Sequence, residues 1–183
     1  MTMSSRKVTP LVRTLTIVNS TYQPSFGNTL INVLETHYLT TGDRIRIRFP
    51  NVPQILEDVP VTVTSGTAFT VDTPMDYKID SRGEIKVLFY STGMTGPQSP
   101  ITVNSTTALA AVMQLWVSGI GGAVYTVEGS LDGQHYSTDS NITTHLGVDG
   151  DTQAVVINVS WAYLRLNITS IGAATKLYGN FSG

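Results

Sequence analysis

Three histidines, His37, His135 and His145, and the acidic turn Asp149-Gly150-Asp151 are the residues whose types allow metal or acid–base chemistry. Zinc takes about four ligands from Cys, His and carboxylate. These histidines have no mate at i, i+2 or i, i+4, and each falls in or beside a turn. His37 is expected instead to pack its own loop or to hydrogen-bond a backbone carbonyl. Calcium needs a spaced acidic loop supplying six or more oxygens, whereas Asp149-Gly150-Asp151 reads as an ordinary Asp-Gly turn. The chain has no cysteine, which excludes thiolate nucleophiles, disulfides and Cys-ligated metals. No Gly-x-Ser-x-Gly elbow occurs, and Gly119-Ile-Gly-Gly122 lacks the lysine and helix of a phosphate loop. The expectation is a protein that is not an enzyme, with no catalytic residues, no metal and no cofactor.

Binding chemistry has better candidates. Arg44, Arg46 and Arg48 alternate with Ile45, Ile47 and Phe49, a period of two that sets three guanidinium groups on one face of a strand. Like charges at that spacing repel unless acids on a neighbouring strand offset them, and Glu57, Asp58 and Glu84 are available for this. The ladder is then either an internal charge ladder or a contact to an acidic neighbouring subunit. Arg6, Lys7 and Arg13, on a basic N-terminal arm, join it as candidate subunit-contact residues. Trp116, Trp161 and Tyr163 are candidates for stacking a glycan, with core and edge packing as the alternative role. Nucleic acid is not an expected partner, because net charge is −2 and the arginines have no interleaved exposed aromatics.

The elements that must position these residues are strands. Only 13% of residues are charged, about half the usual quarter, with Thr, Ser, Gly, Val and Ile in their place. Leu15 and Ile17 alternate with Thr14 and Thr16. Val59, Val61 and Val63 alternate with Pro60, Thr62 and Thr64. Met113, Leu115 and Val117 alternate with Gln114 and Trp116, and Tyr125 and Val127 with Thr126 and Glu128. Turn dipeptides separate such runs every 8–12 residues or so, as in sandwiches and barrels. The expected fold is all-β: two small antiparallel β-sandwich or barrel domains joined by a Gly/Pro linker. The boundaries read as a basic arm at 1–13, an N-terminal β-domain at 14–91, a linker at 92–100 and a C-terminal β-domain at 101–183. Glu84–Tyr90 reads as one strand closing the first domain. The N-terminus has no apolar core of a signal peptide, and no run reaches the ~18 apolar residues that span a bilayer, so no membrane partner is expected.

Two stretches carry resemblances. The segment from His37-Tyr-Leu-Thr-Thr-Gly-Asp43 through the Arg44–Phe49 strand to Phe69-Thr-Val71 resembles a module repeated across structural proteins of tailed-bacteriophage virions. Tyr125-Thr-Val-Glu-Gly-Ser-Leu-Asp-Gly133, followed by Trp161-Ala-Tyr-Leu-Arg-Leu-Asn-Ile-Thr169, looks like jelly-roll modules of phage virions and of discoidin-type carbohydrate-binding domains. The resemblance implies a jelly-roll sandwich for the second half, a hairpin turn at Ser130, Asp132 and Gly133, and a strand arginine at Arg165. It further implies a structural component of a virion, assembled in the host bacterial cytoplasm, with other virion proteins and further copies of itself as partners. Capsid decoration is the expected role. A tail, collar or baseplate component and a carbohydrate- or receptor-binding module are the alternatives.

Overall fold

The computed structural model describes residues 8–48, 55–72, 84–103, 111–147, 149–157 and 161–182. Arg6 and Lys7 lie outside the described residues, as does Phe49. The described residues form strands and turns and divide into two compact units. One unit is Val12–Val87; the other joins Met1–Leu11 to Leu88–Gly183. The chain begins with β1 (Val8–Pro10) in the larger unit. It then enters the smaller one through β2 (Arg13–Gln23), β3 (Asn28–Val33), β4 (Arg44–Arg48), β5 (Ile55–Ser65), β6 (Ala68–Val71) and β7 (Glu84–Val87). The return gives β8 (Tyr90–Ser91), β9 (Gly96–Pro97), β10 (Ile101–Thr102), β11 (Ala111–Ser118) and β12 (Ala123–Ser130). The last strands are β13 (Ser137–Leu146), β14 (Thr152–Ile157), β15 (Tyr163–Ile171) and β16 (Lys176–Ser182).

The smaller unit is a closed barrel in the order β2-β3-β6-β5-β4-β7, with β7 returning to β2. Closure leaves the barrel no sheet edge. Two long strands make it possible by serving two neighbours each. The first part of β2 pairs with β7 and the rest with β3, with a register shift between Ile17 and Asn19. In the same way β5 pairs first with β4 and then with β6. The interior is what the alternation predicts: Leu15, Ile17, Ile31, Ile45, Ile47, Phe69 and Ile85 are essentially buried.

The larger unit is a sandwich of two antiparallel sheets. One runs β1-β16-β11-β14, with β8 also on β16; the other runs β10-β15-β12-β13, with β9 also on β15. Met113, Leu115 and Val117 from the first sheet and Tyr125, Val127, Leu164, Leu166 and Ile168 from the second share one core. Their outward partners are Gln114 and Trp116 on one sheet and Thr126 and Glu128 on the other.

The chain crosses between the units at Leu11–Val12 and Val87–Leu88, not at 92–100. Pro10 pairs with Asn180, the Leu11 amide donates to the Gly179 carbonyl, and Tyr90 and Ser91 take up Leu177 and Lys176. Residues 8–11 and 90–91 are therefore two pieces of one edge strand along β16, and the barrel is inserted between them. The run Glu84–Tyr90, expected as one strand, is divided because Ile85 and Val87 fill the barrel while Tyr90 enters the sandwich core. The expected linker is not free of the sheets either. Gly96 and Pro97 pair with Ile168 and Asn167, and the Gln98 amide donates to Leu166. Residues 8–11, the stretch 96–98 and the second half thus belong to one hydrogen-bonded unit.

Candidate functional site

The His37 loop of the barrel is a network of buried polar atoms. His37 is 1% exposed and its ring meets Phe69 edge-on with centroids 5.4 Å apart. Its Nδ1 accepts the Leu39 amide at 2.9 Å, so the proton resides on Nε2, which donates to the Ser65 carbonyl at 2.7 Å. Asp43, 4% exposed, accepts the Thr40 amide at 2.9 Å. The Thr41 hydroxyl accepts the Val63 amide at 3.0 Å, and Gly42, at φ 95°, turns the chain so that its amide reaches the Val61 carbonyl. The side chains of His37, Thr41 and Asp43 thus each hold the loop. Arg13, expected as a subunit contact, also belongs to this loop. It donates to the Thr36 and His37 carbonyls, with the Tyr38 ring 5.9 Å away. Beside it, Glu35 accepts the Thr16 amide at 3.0 Å and the Thr16 hydroxyl at 2.7 Å. Burial lifts the Glu35 carboxyl, but these hydrogen bonds outweigh it and hold the pKa below the ordinary 4.5.

The arginine ladder faces outward on β4, with Ile45 and Ile47 inward. Arg44 pairs with Asp58 at 2.7 Å and Arg46 with Glu57 at 3.2 Å. Arg48 stands in register opposite Glu84. Glu57 and Asp58 are adjacent, so a regular strand would turn them to opposite faces. A register shift between Ile45 and Ile47, with Asp58 at φ 59°, brings both acids to the arginine side. Aspartate tolerates that left-handed backbone better than most side chains.

A second polar cluster lies on the outer face of the sandwich, and sequence reasoning did not single out its centre. Glu128 is 8% exposed. It accepts Arg165 Nε at 2.7 Å and Asn167 Nδ2 at 2.7 Å, and the Arg165 guanidinium stacks 3.6 Å from the Tyr136 ring centroid. The available signal was parity: Glu128 alternates with Tyr125 and Val127, which puts it outward. Its partner depends on the Glu128–Arg165 register, which local alternation does not reveal. Beyond β12, Asp132 caps its own turn. It accepts the Gln134 and His135 amides at 2.8 and 2.9 Å and meets His135 Nδ1 at 2.7 Å. The bond from the His135 side chain, followed by these amides and the Ser130 hydroxyl, holds the Asp132 carboxyl well below its ordinary range. The same bond and charge raise the His135 pKa above 6.5.

Trp116, Trp161 and Tyr163 do not form one platform. Trp116 lies on the β1-β16-β11-β14 sheet, stacked on Tyr178 with planes 6° apart and centroids 5.6 Å apart. Trp161 packs against the core and seats on Gly129, where a Cβ would come within 2.4 Å of its ring. Tyr163 lies beside Gly133 on the other sheet. Asp149 and Asp151 are also engaged, accepting the Gly119 and Gly147 amides at 2.8 Å each. The His145 side chain lies outside the described residues, and no group of three or more metal-ligating side chains occurs among the described ones.

What remains as a surface is the outer face of the Trp116 sheet. Its outward residues are hydroxyl, amide, aromatic and aliphatic, with Lys176 the one charged residue on it among the described residues. Val8, Ser182, Val112 and Val156 form a row across it, with Val8 59% and Val156 64% exposed. No protein-family model and no curated protein matches the chain.

Proposed function

We propose that this chain is a non-enzymatic structural component of a tailed-phage virion, a capsid decoration protein that stabilises the particle through subunit contacts. The observation that carries the reading is how the polar groups are used. His37, Asp43, Arg13, Glu128 and Arg165 hold loops and strands within their own units, while one sheet face presents a single charge among the described residues. Such a face sheds little tightly bound water when covered, which suits burial against neighbours. Repetition on a symmetric shell multiplies weak contacts into lasting attachment. The virion-type resemblances of residues 29–75 and 125–169 supply the setting.

Addition of the purified chain to phage particles that lack it tests the reading. Saturable co-sedimentation at a copy number matching the capsid lattice, with DNA retained to a higher temperature, is the expected result. Binding at a few copies per particle would move the protein to the tail, collar or baseplate. No binding to any particle would sink the proposal.

A further inference from the structure

We infer that β14 is a docking edge for a second copy of this chain, whose own β14 adds antiparallel across a two-fold axis centred on Ala154. This stands independently of the virion reading. A sheet edge presents unpaired backbone donors and acceptors, and proteins that stay apart protect such edges with proline, charge, bulges or brevity. Three of the four edges of the sandwich carry these protections. The β1/β8 edge contains Pro10 and consists of two short pieces, Val8–Pro10 and Tyr90–Ser91. The β9/β10 edge consists of two two-residue pieces with Pro97 in one of them. Along β13 the register jumps from Thr143 opposite Thr126 to Thr138 opposite Glu128.

The β14 edge has none of them. Thr-Gln-Ala-Val-Val-Ile pairs with β11 residue for residue from Trp116–Thr152 to Ala111–Ile157, without a shift. It contains no charge and no proline, ends its sheet among the described residues, and turns the 64%-exposed Val156 outward. The occupant follows from the same facts. Residues directly opposite in an antiparallel pair share a face, so an axis at Ala154 sets Ala154 against Ala154 and Val156 against Thr152 of the other copy. No like charges meet at the axis, and no charge on the strand selects an oppositely charged partner. The strand is complementary to itself, as an isologous contact requires. Pairing joins the two Trp116 sheets into one, and their outer faces, each with Lys176 as its one charge among the described residues, become continuous.

Light scattering across a concentration series should give twice the 19.7 kDa chain mass, and Ala154→Lys, which sets two ammonium groups against each other on the axis, should return it to the monomer. Gln114→Lys, on the same face one strand inward, should leave the dimer intact. Because the chain has no cysteine, Ala154→Cys adds the sole thiol, and opposed residues in a strand pair fall within disulfide reach. Oxidation should therefore yield a covalent dimer. A wild-type monomer at high concentration overturns the inference. So does a dimer that survives Ala154→Lys, one lost with Gln114→Lys instead, or one that forms no cross-link through Ala154→Cys.

Discussion

The loop at His37 and the turn at His135 both tie a histidine into a hydrogen-bond network, in different units and at opposite depths. In the barrel the ring is sealed from water and joins Leu39, Ser65 and Phe69. In the sandwich the ring stands in solvent and bonds to Asp132 of its own turn. The first network connects segments nearly thirty residues apart. The second stays within residues 130–135. A hydrogen bond gains importance from the cost of leaving it unmade, and that cost grows with burial.

The largest expected effect tests the buried end of this comparison. His37→Ala strands the Leu39 amide and the Ser65 carbonyl in the interior and removes the edge contact with Phe69. It should lower the unfolding free energy by about 3 kcal/mol in urea titrations. A loss as small as that of a surface substitution would mean the loop is held by its backbone alone. Glu128→Gln comes next, since it leaves Arg165, with its side chain 23% exposed, beside a neutral amide. Partial solvent access reduces the penalty of a broken buried pair to about 2 kcal/mol, measurable in the same titration. Arg44→Ala should cost under about 0.5 kcal/mol, because Arg44 and Asp58 side chains are 55% and 71% exposed. A larger loss would show the ladder to be a structural network.

The smallest effect belongs to His135. Its raised pKa means that its favourable pairing is complete below the ordinary 6.5 and fades as pH rises through the folded value. Asp132 has the opposite sign: its contribution is present above the ordinary 3.8 and is lost as pH falls through its lowered folded value. The pair is therefore strongest between 3.8 and 6.5. NMR titration should show the His135 resonance moving at higher pH than a free imidazole. In Asp132→Asn the midpoint should fall back towards 6.5, with little change in unfolding. A marked loss of stability there would erase the contrast with His37.

Much of the barrel network was legible. His37 as a loop-packing, carbonyl-bonding residue and Glu57 and Asp58 as offsets to the arginines follow from residue type and proximity along the chain. Arg13 was not legible as a loop clamp, because its acceptors at Thr36 and His37 are backbone carbonyls that any residue supplies. Glu128 was hidden for a related reason, its partner Arg165 lying 37 residues away. Trp116, Trp161 and Tyr163 read alike as aromatics, and only sheet assignment separates them.

What the sequence by itself determined is which way side chains face. Leu15 and Ile17, Ile45 and Ile47, Met113, Leu115 and Val117 all point inward as their alternation requires, because a strand's period of two is a local property of the backbone. Only the tertiary structure decided which strands are neighbours. Residues 8–11 and 90–91 share β16 with a whole barrel between them in the chain, and Glu84–Val87 parts from Tyr90 within one apolar run. Backbone amides and carbonyls are the same on every strand, so pairing is chosen by how both cores close together, a condition no short window of residues contains.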